Sequence, residues 1–202
     1  AHDLPIRSVL LLLSLISLVA MPYITLMPIF AKDILGGGPH TLGFLMSATG
    51  IGALTGAVYL ASRRNARGLI AVVALAAGVF GVGLILFSFS RQFWLSMIFM
   101  YASGCGMMVH MASCNTVLQS ISYPDKRGRI MGFFTMAFRG MIPFGSLMAG
   151  SLASGIGAPH TLALGGALAI LGALIYARRL PALQEQANAA LERNAALNHL
   201  NR

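Results

Sequence analysis

Arg139 is the residue whose type and place demand most explanation. It falls about eleven residues after Gly128 within an apolar run, roughly 16 Å along a helix that rises 1.5 Å per residue. A cation near mid-bilayer costs several kcal/mol unless it faces protein or a water-filled cavity. Arg139 is therefore expected to contact an anionic ligand or form a gating pair, with cross-helix bonding as the plainer alternative. His110 lies a similar distance from the same connector on the preceding, antiparallel run, which predicts one polar patch shared with Arg139. Asn115 and Gln119 follow it, and Tyr23, Thr25, Thr49 and Thr55 supply hydroxyls from the first two runs. Tyr23, Thr25, Thr49, His110, Asn115 and Arg139 form the candidate substrate cavity; for the hydroxyls and His110, bonding that fixes packing is an equal reading.

Other chemistries find less support. Met107, His110, Met111 and Cys114 share one helical face, and such soft ligands suit Cu(I). Methionine also fills apolar cores, and twelve are scattered along this chain, so no metal or other cofactor is assigned. Cys105 and Cys114 lack the paired spacing of a zinc or redox motif. An intramembrane hydrolase would need an activated serine; Ser146 follows Gly145 but precedes Leu147, which departs from a Gly-x-Ser-Gly pattern. Asp3, Asp33, Asp125, Glu185 and Glu192 all lie at termini or in or near loops. A proton relay would have to use a partner's carboxylate or His110, since an unperturbed imidazole titrates near neutrality.

The elements that position these residues follow from composition. Of 202 residues, 57% are hydrophobic and 9% charged, where a soluble domain carries about a quarter charged residues. The charges cluster, leaving six apolar segments at about 8–31, 41–61, 69–89, 93–118, 130–153 and 160–177. Each approaches the roughly 20 residues that cross a hydrocarbon core. The runs are apolar on all sides, whereas barrel strands alternate, and helices satisfy their own backbone in lipid. Arg7 and the following run imitate a signal peptide, but the run continues to Ala31 without a small-residue cleavage site. The expected fold is all-α: a polytopic membrane domain over 1–180, followed by a polar tail over 181–202 that forms at most a marginal helix.

A net charge of +9 could suggest nucleic acid, but no basic face or recognition module accompanies it. Eleven of the fourteen basic residues fall in connectors and tails on one side, and Lys32 and Arg91 on the other, with Arg139 inside a span. Basic residues are retained in the cytoplasm, so both termini are expected there. Gly52 and Gly56, Ala48 and Gly52, and the crowded Gly78, Gly81 and Gly83 are spaced for close helix packing. Helix bends are expected where proline joins glycine, at Pro22 and Pro28 and across Gly140, Pro143 and Gly145.

Three stretches are similar to one family: Met21–Asp33 with the glycine loop after it, Thr41–Ala53, and Arg127–Gly132 through Pro143–Gly150. From about Arg7 to Arg179 the chain resembles the last six helices of major facilitator transporters, in the bacterial branch of enterobactin exporters and macrolide efflux proteins. The resemblance implies two six-helix halves around a midplane cavity lined by the first, second, fourth and fifth helices of each. It implies an efflux antiporter of the bacterial inner membrane, with an amphipathic organic substrate and, as partner, an N-terminal half or a second copy. A half that assembles or regulates without transporting is the alternative. The family's gating motif after the second helix is matched by Gly56, Arg63, Arg64 and Arg67, but Ala61 and Ser62 stand where an acid is usual. Asp125, Arg127 and Arg129 make the better latch, and Gly140, Pro143 and Gly145 resemble the antiporter bend.

Overall fold

The apolar runs fold as helices because in a lipid core every peptide group must be bonded within its own segment. A computed structural model describes residues 4–63, 68–123 and 126–200, the last ten of these as backbone only. Arg64, Arg67 and Asp125 lie outside the described residues. Among the described residues six helices are long and apolar enough to cross a membrane. The first span, Leu4–Ile34, comprises α1 (Leu4–Val19), α2 (Tyr23–Ile29) and a π turn over Phe30–Ile34. The second to fourth are α3 (Pro39–Ser62), α4 (Leu69–Phe89) and α5 (Phe93–Ile121). The fifth, Arg127–Ile156, joins α6 (Arg127–Thr135) to α7 (Met141–Ile156) through a π turn at Met136–Gly140. The sixth is α8 (Ala158–Arg178), and α9 (Leu180–Leu200) follows.

Chain chemistry sets the boundaries. Pro39 and Pro159 sit in the first turns of α3 and α8, where a missing N–H costs nothing. Gly157, at φ 85°, turns the chain between the fifth and sixth spans in a conformation that a Cβ would strain. In the first span Pro22 has no N–H for the Leu18 carbonyl, and the Tyr23 N–H bonds Ala20 instead of Val19. The helix therefore breaks between Val19 and Tyr23.

Glycines seat the crossings. A Cβ at Gly52 would overlap the Tyr101 carbonyl and one at Gly104 the Thr49 carbonyl, so the second and fourth spans meet backbone to backbone. Gly81 and Gly166 join the third span to the sixth in the same way. The two carbonyls freed at the break are received by glycines: Leu18 by Gly145 of the fifth span, and Val19 by Gly165 of the sixth. Beyond the break, the Tyr23 ring meets Phe80 edge-on at 5.9 Å and Phe30 meets Phe87 at 4.7 Å, fastening α2 and the π turn after it to the third span. The tail helix seats Leu183, Ala187 and Ala190, one face of its first turns, against the end of the bundle. Alanines make up most of this face, which gives the polar tail a seat that its leucines alone would not.

Burial is uneven. In its most apolar stretch the third span is 61% buried, the second 28% and the fifth 17%. The second and fifth spans are therefore the least covered.

Candidate functional site

Two residues expected in the cavity are turned into the core. Tyr23 packs beneath Phe80 and is 5% exposed. His110, 2% exposed, donates from Nδ1 to the Val73 carbonyl at 3.0 Å, across the fourth and third spans. Its Nε2 faces the Cys114 thiol at 3.7 Å. Both are corrections with one cause: an apolar run that is hydrophobic on every side does not reveal which face a polar residue occupies. His110 therefore shares no patch with Arg139, and it is poorly placed to carry protons at an exposed surface.

The other four candidates stand differently. Thr25 is exposed and donates to the Ser146 hydroxyl at 3.1 Å, linking the first span to the fifth. Among the described residues the Ser146 hydroxyl thus engages a threonine and no histidine, as a serine hydrolase would require. Thr49 is partly buried and bonds back to the Leu45 carbonyl at 2.9 Å. Asn115 accepts from Gln119 at 2.8 Å, four residues on, and Arg127 donates to the Gln119 carbonyl at 2.9 Å. That pairing joins a cavity candidate to a latch candidate, and the i, i+4 spacing of Asn115 and Gln119 was its signal in the sequence.

Arg139 lies in the π turn of the fifth span, exposed, and among the described residues its guanidinium has no hydrogen-bond or ion-pair partner. Such turns arise where the helix repeat is disturbed and are frequent at functional sites. Gly140 closes the turn and Pro143, four residues after Arg139, removes the N–H that an α-helix would return to the Arg139 carbonyl. Pro28 stands similarly beside the π turn at Phe30–Ile34. Gly145, grouped with the bend, is instead the seat for Leu18, and Gly56 abuts the Cys105 carbonyl, a contact of packing. Arg63 lies over the Tyr59 ring at 5.4 Å, and Arg129 is exposed at the start of α6.

Exposed residues divide by chemistry. Within the third span they are Leu75, Val79, Val82, Leu86 and Phe89, and in the middle of the sixth Leu164, Leu171, Leu174 and Ile175, a surface suited to lipid. Exposed polar groups occur on the others: Thr25 on the first span, Ser47 and Thr55 on the second, Thr116 and Gln119 on the fourth, Arg139 and Ser151 on the fifth.

A family model described as a transmembrane secretion effector, within the major facilitator superfamily, matches residues 1–200. The chain belongs to that family. No curated protein matches it. Among solved structures, the major facilitator proton:xylose symporter XylE, bound to 6-bromo-6-deoxy-D-glucose, is similar with a TM-score of 0.66 at 17% identity. The match covers 95% of this chain and 50% of XylE, so the chain spans about half the length of that transporter. At this identity the likeness establishes the fold: six helices arranged as in a major facilitator protein. By family the chain is thus grouped with membrane transporters and not with hydrolases.

Proposed function

We propose that this bundle is the C-terminal half of an exporter of amphipathic organic compounds, working by alternating access in the bacterial inner membrane, with both termini cytoplasmic. The observation that carries the reading is the division of exposed chemistry: polar groups on the first, second, fourth and fifth spans, aliphatic and aromatic groups alone on the third and in the middle of the sixth. A polar surface is unfavourable against hydrocarbon and favourable against a water-filled cavity shared with a second six-helix bundle. Arg139 supplies a cation for an anionic substrate group, while Phe44, Phe144 and Met148, exposed on the second and fifth spans, supply an adaptable apolar wall. The Asn115, Gln119 and Arg127 cluster, with Arg129 beside it, serves as the latch on the closing side.

The test is transport in reconstituted vesicles, with the chain alone and with a complementary half, using anionic carboxyfluorescein and cationic ethidium as probes. The expected result is dye movement that requires two bundles and falls at least about ten-fold in Arg139→Ala for the anionic dye, as loss of a specific charge contact implies. Equal transport by wild type and Arg139→Ala would remove the role given to this residue. Absence of transport with every pairing would favour a regulatory half.

A further inference from the structure

At one end of the bundle the first and fifth spans part to leave a groove of about 430 Å³. Arg7 enters it from the first turns of α1, and Lys126 and Arg129 from the start of α6. Ile6 and Leu10 form one wall, Ile130 and Phe133 the other. Among the described residues no carboxylate pairs with any of the three cations, and Lys126 Nζ lies 5.8 Å from the Tyr123 ring centroid. Arg127, next in sequence, is by contrast engaged with the Gln119 carbonyl.

Three like charges around one groove repel one another unless an anion lies between them. The walls add a second requirement: they are apolar, and exposed Phe133 and Leu11 extend them along spans that cross the membrane. An inorganic anion would use the cations and leave the walls idle. An amphiphile with an anionic head and an acyl tail uses both, and basic pockets between membrane helices are suited to such headgroups.

We propose that the groove between the first and fifth spans binds an anionic phospholipid, its phosphate held by Arg7, Lys126 and Arg129 and an acyl chain laid along Leu10, Ile130 and Phe133. The site requires a bundle in a membrane and is independent of what the bundle transports. Because its cations come from two spans, an occupied site ties those spans together at one end.

Native mass spectrometry of the full chain in detergent tests this by titration with dioleoyl phosphatidylglycerol, dioleoyl phosphatidylcholine and inorganic phosphate. Phosphatidylglycerol should bind at least about ten-fold more tightly than phosphatidylcholine, with phosphate unable to displace it. Each neutralisation, Arg7→Gln, Lys126→Gln or Arg129→Gln, should weaken it about five-fold, and all three together about a hundred-fold. The same charge removed elsewhere, by Lys32→Gln, Arg91→Gln and Arg178→Gln, should leave binding unchanged. Phe133→Ala should weaken both lipids. Should the triple variant not fold, the single Arg129→Gln variant and the charge-keeping Arg7→Lys, Arg129→Lys pair decide: the first must lose affinity and the second keep it. Equal affinity for the two lipids, displacement by phosphate, or equal loss in the distant charge control would overturn the site.

Discussion

Arg139 and His110 have similar credentials as single letters in apolar runs, and the structure separates them. Arg139 is exposed and among the described residues makes no side-chain bond that its removal would orphan, so Arg139→Ala should leave the detergent melting temperature within a few degrees of wild type. His110 bridges two spans from the core. His110→Ala should cost about 1–3 kcal/mol, the usual penalty for losing a buried hydrogen-bonded group with its packing. Its melting temperature should fall while transport per folded molecule is kept; a fully stable His110→Ala protein with lost transport would return the residue to the cavity. The sequence announced both residues as consequential, through the cost of polarity in lipid. It could not give their direction, because spans apolar on all sides have almost no amphipathic moment from which to read rotation.

Helices were the most legible level. Six runs, parted by charged connectors and in one place by the uncharged glycine-proline turn at Ser154–Pro159, mark six spans, since hydropathy and length are properties of the letters alone. The Pro22 break was also readable, because proline removes a specific bond. The glycines were legible as a class but not one by one. Gly50 and Gly52 stand two residues apart on α3, yet a Cβ at Gly50 meets nothing within 4 Å while one at Gly52 strikes the Tyr101 backbone. Gly50→Ala should therefore be neutral or slightly stabilising, by up to about 1 kcal/mol. Gly52→Ala should destabilise by about 1–3 kcal/mol, the range for overpacking a core. Thermal melts of the two single variants decide it, and equal melts would mean that the second and fourth spans do not meet as closely as described. The π turns left no sequence signal beyond nearby proline, for they depend on how neighbouring spans constrain the strand of bonds.

For the molecule as a whole, the consequence of uneven burial is a difference in solvation. With Cys105 and Cys114 replaced by alanine, cysteines introduced at Ser47 or Ser151 should react in vesicles with a water-soluble maleimide, and cysteines at Val79 or Val82 should not. Rapid labelling at Val79 would place water on the face assigned to lipid. Reagents applied from each side should also find Arg63→Cys and Arg129→Cys on the same side, as the distribution of basic residues requires. What the letters withheld here was the pairing of faces, which depends on distances between spans far apart in sequence.

The break in the first span divides one transmembrane segment between two sets of neighbours. Its initial portion is seated on the fifth and sixth spans through Gly145 and Gly165, while its later portion stays linked to the fifth through Thr25 and Ser146 and adds the aromatic rings of the third. A stretch whose amides reach back only three residues, as at Tyr23, Ile24 and Thr25, is a ready pivot. Deuterium uptake should begin there, ahead of the peptide groups on either flank, so that the segment behaves as two levers on one axle.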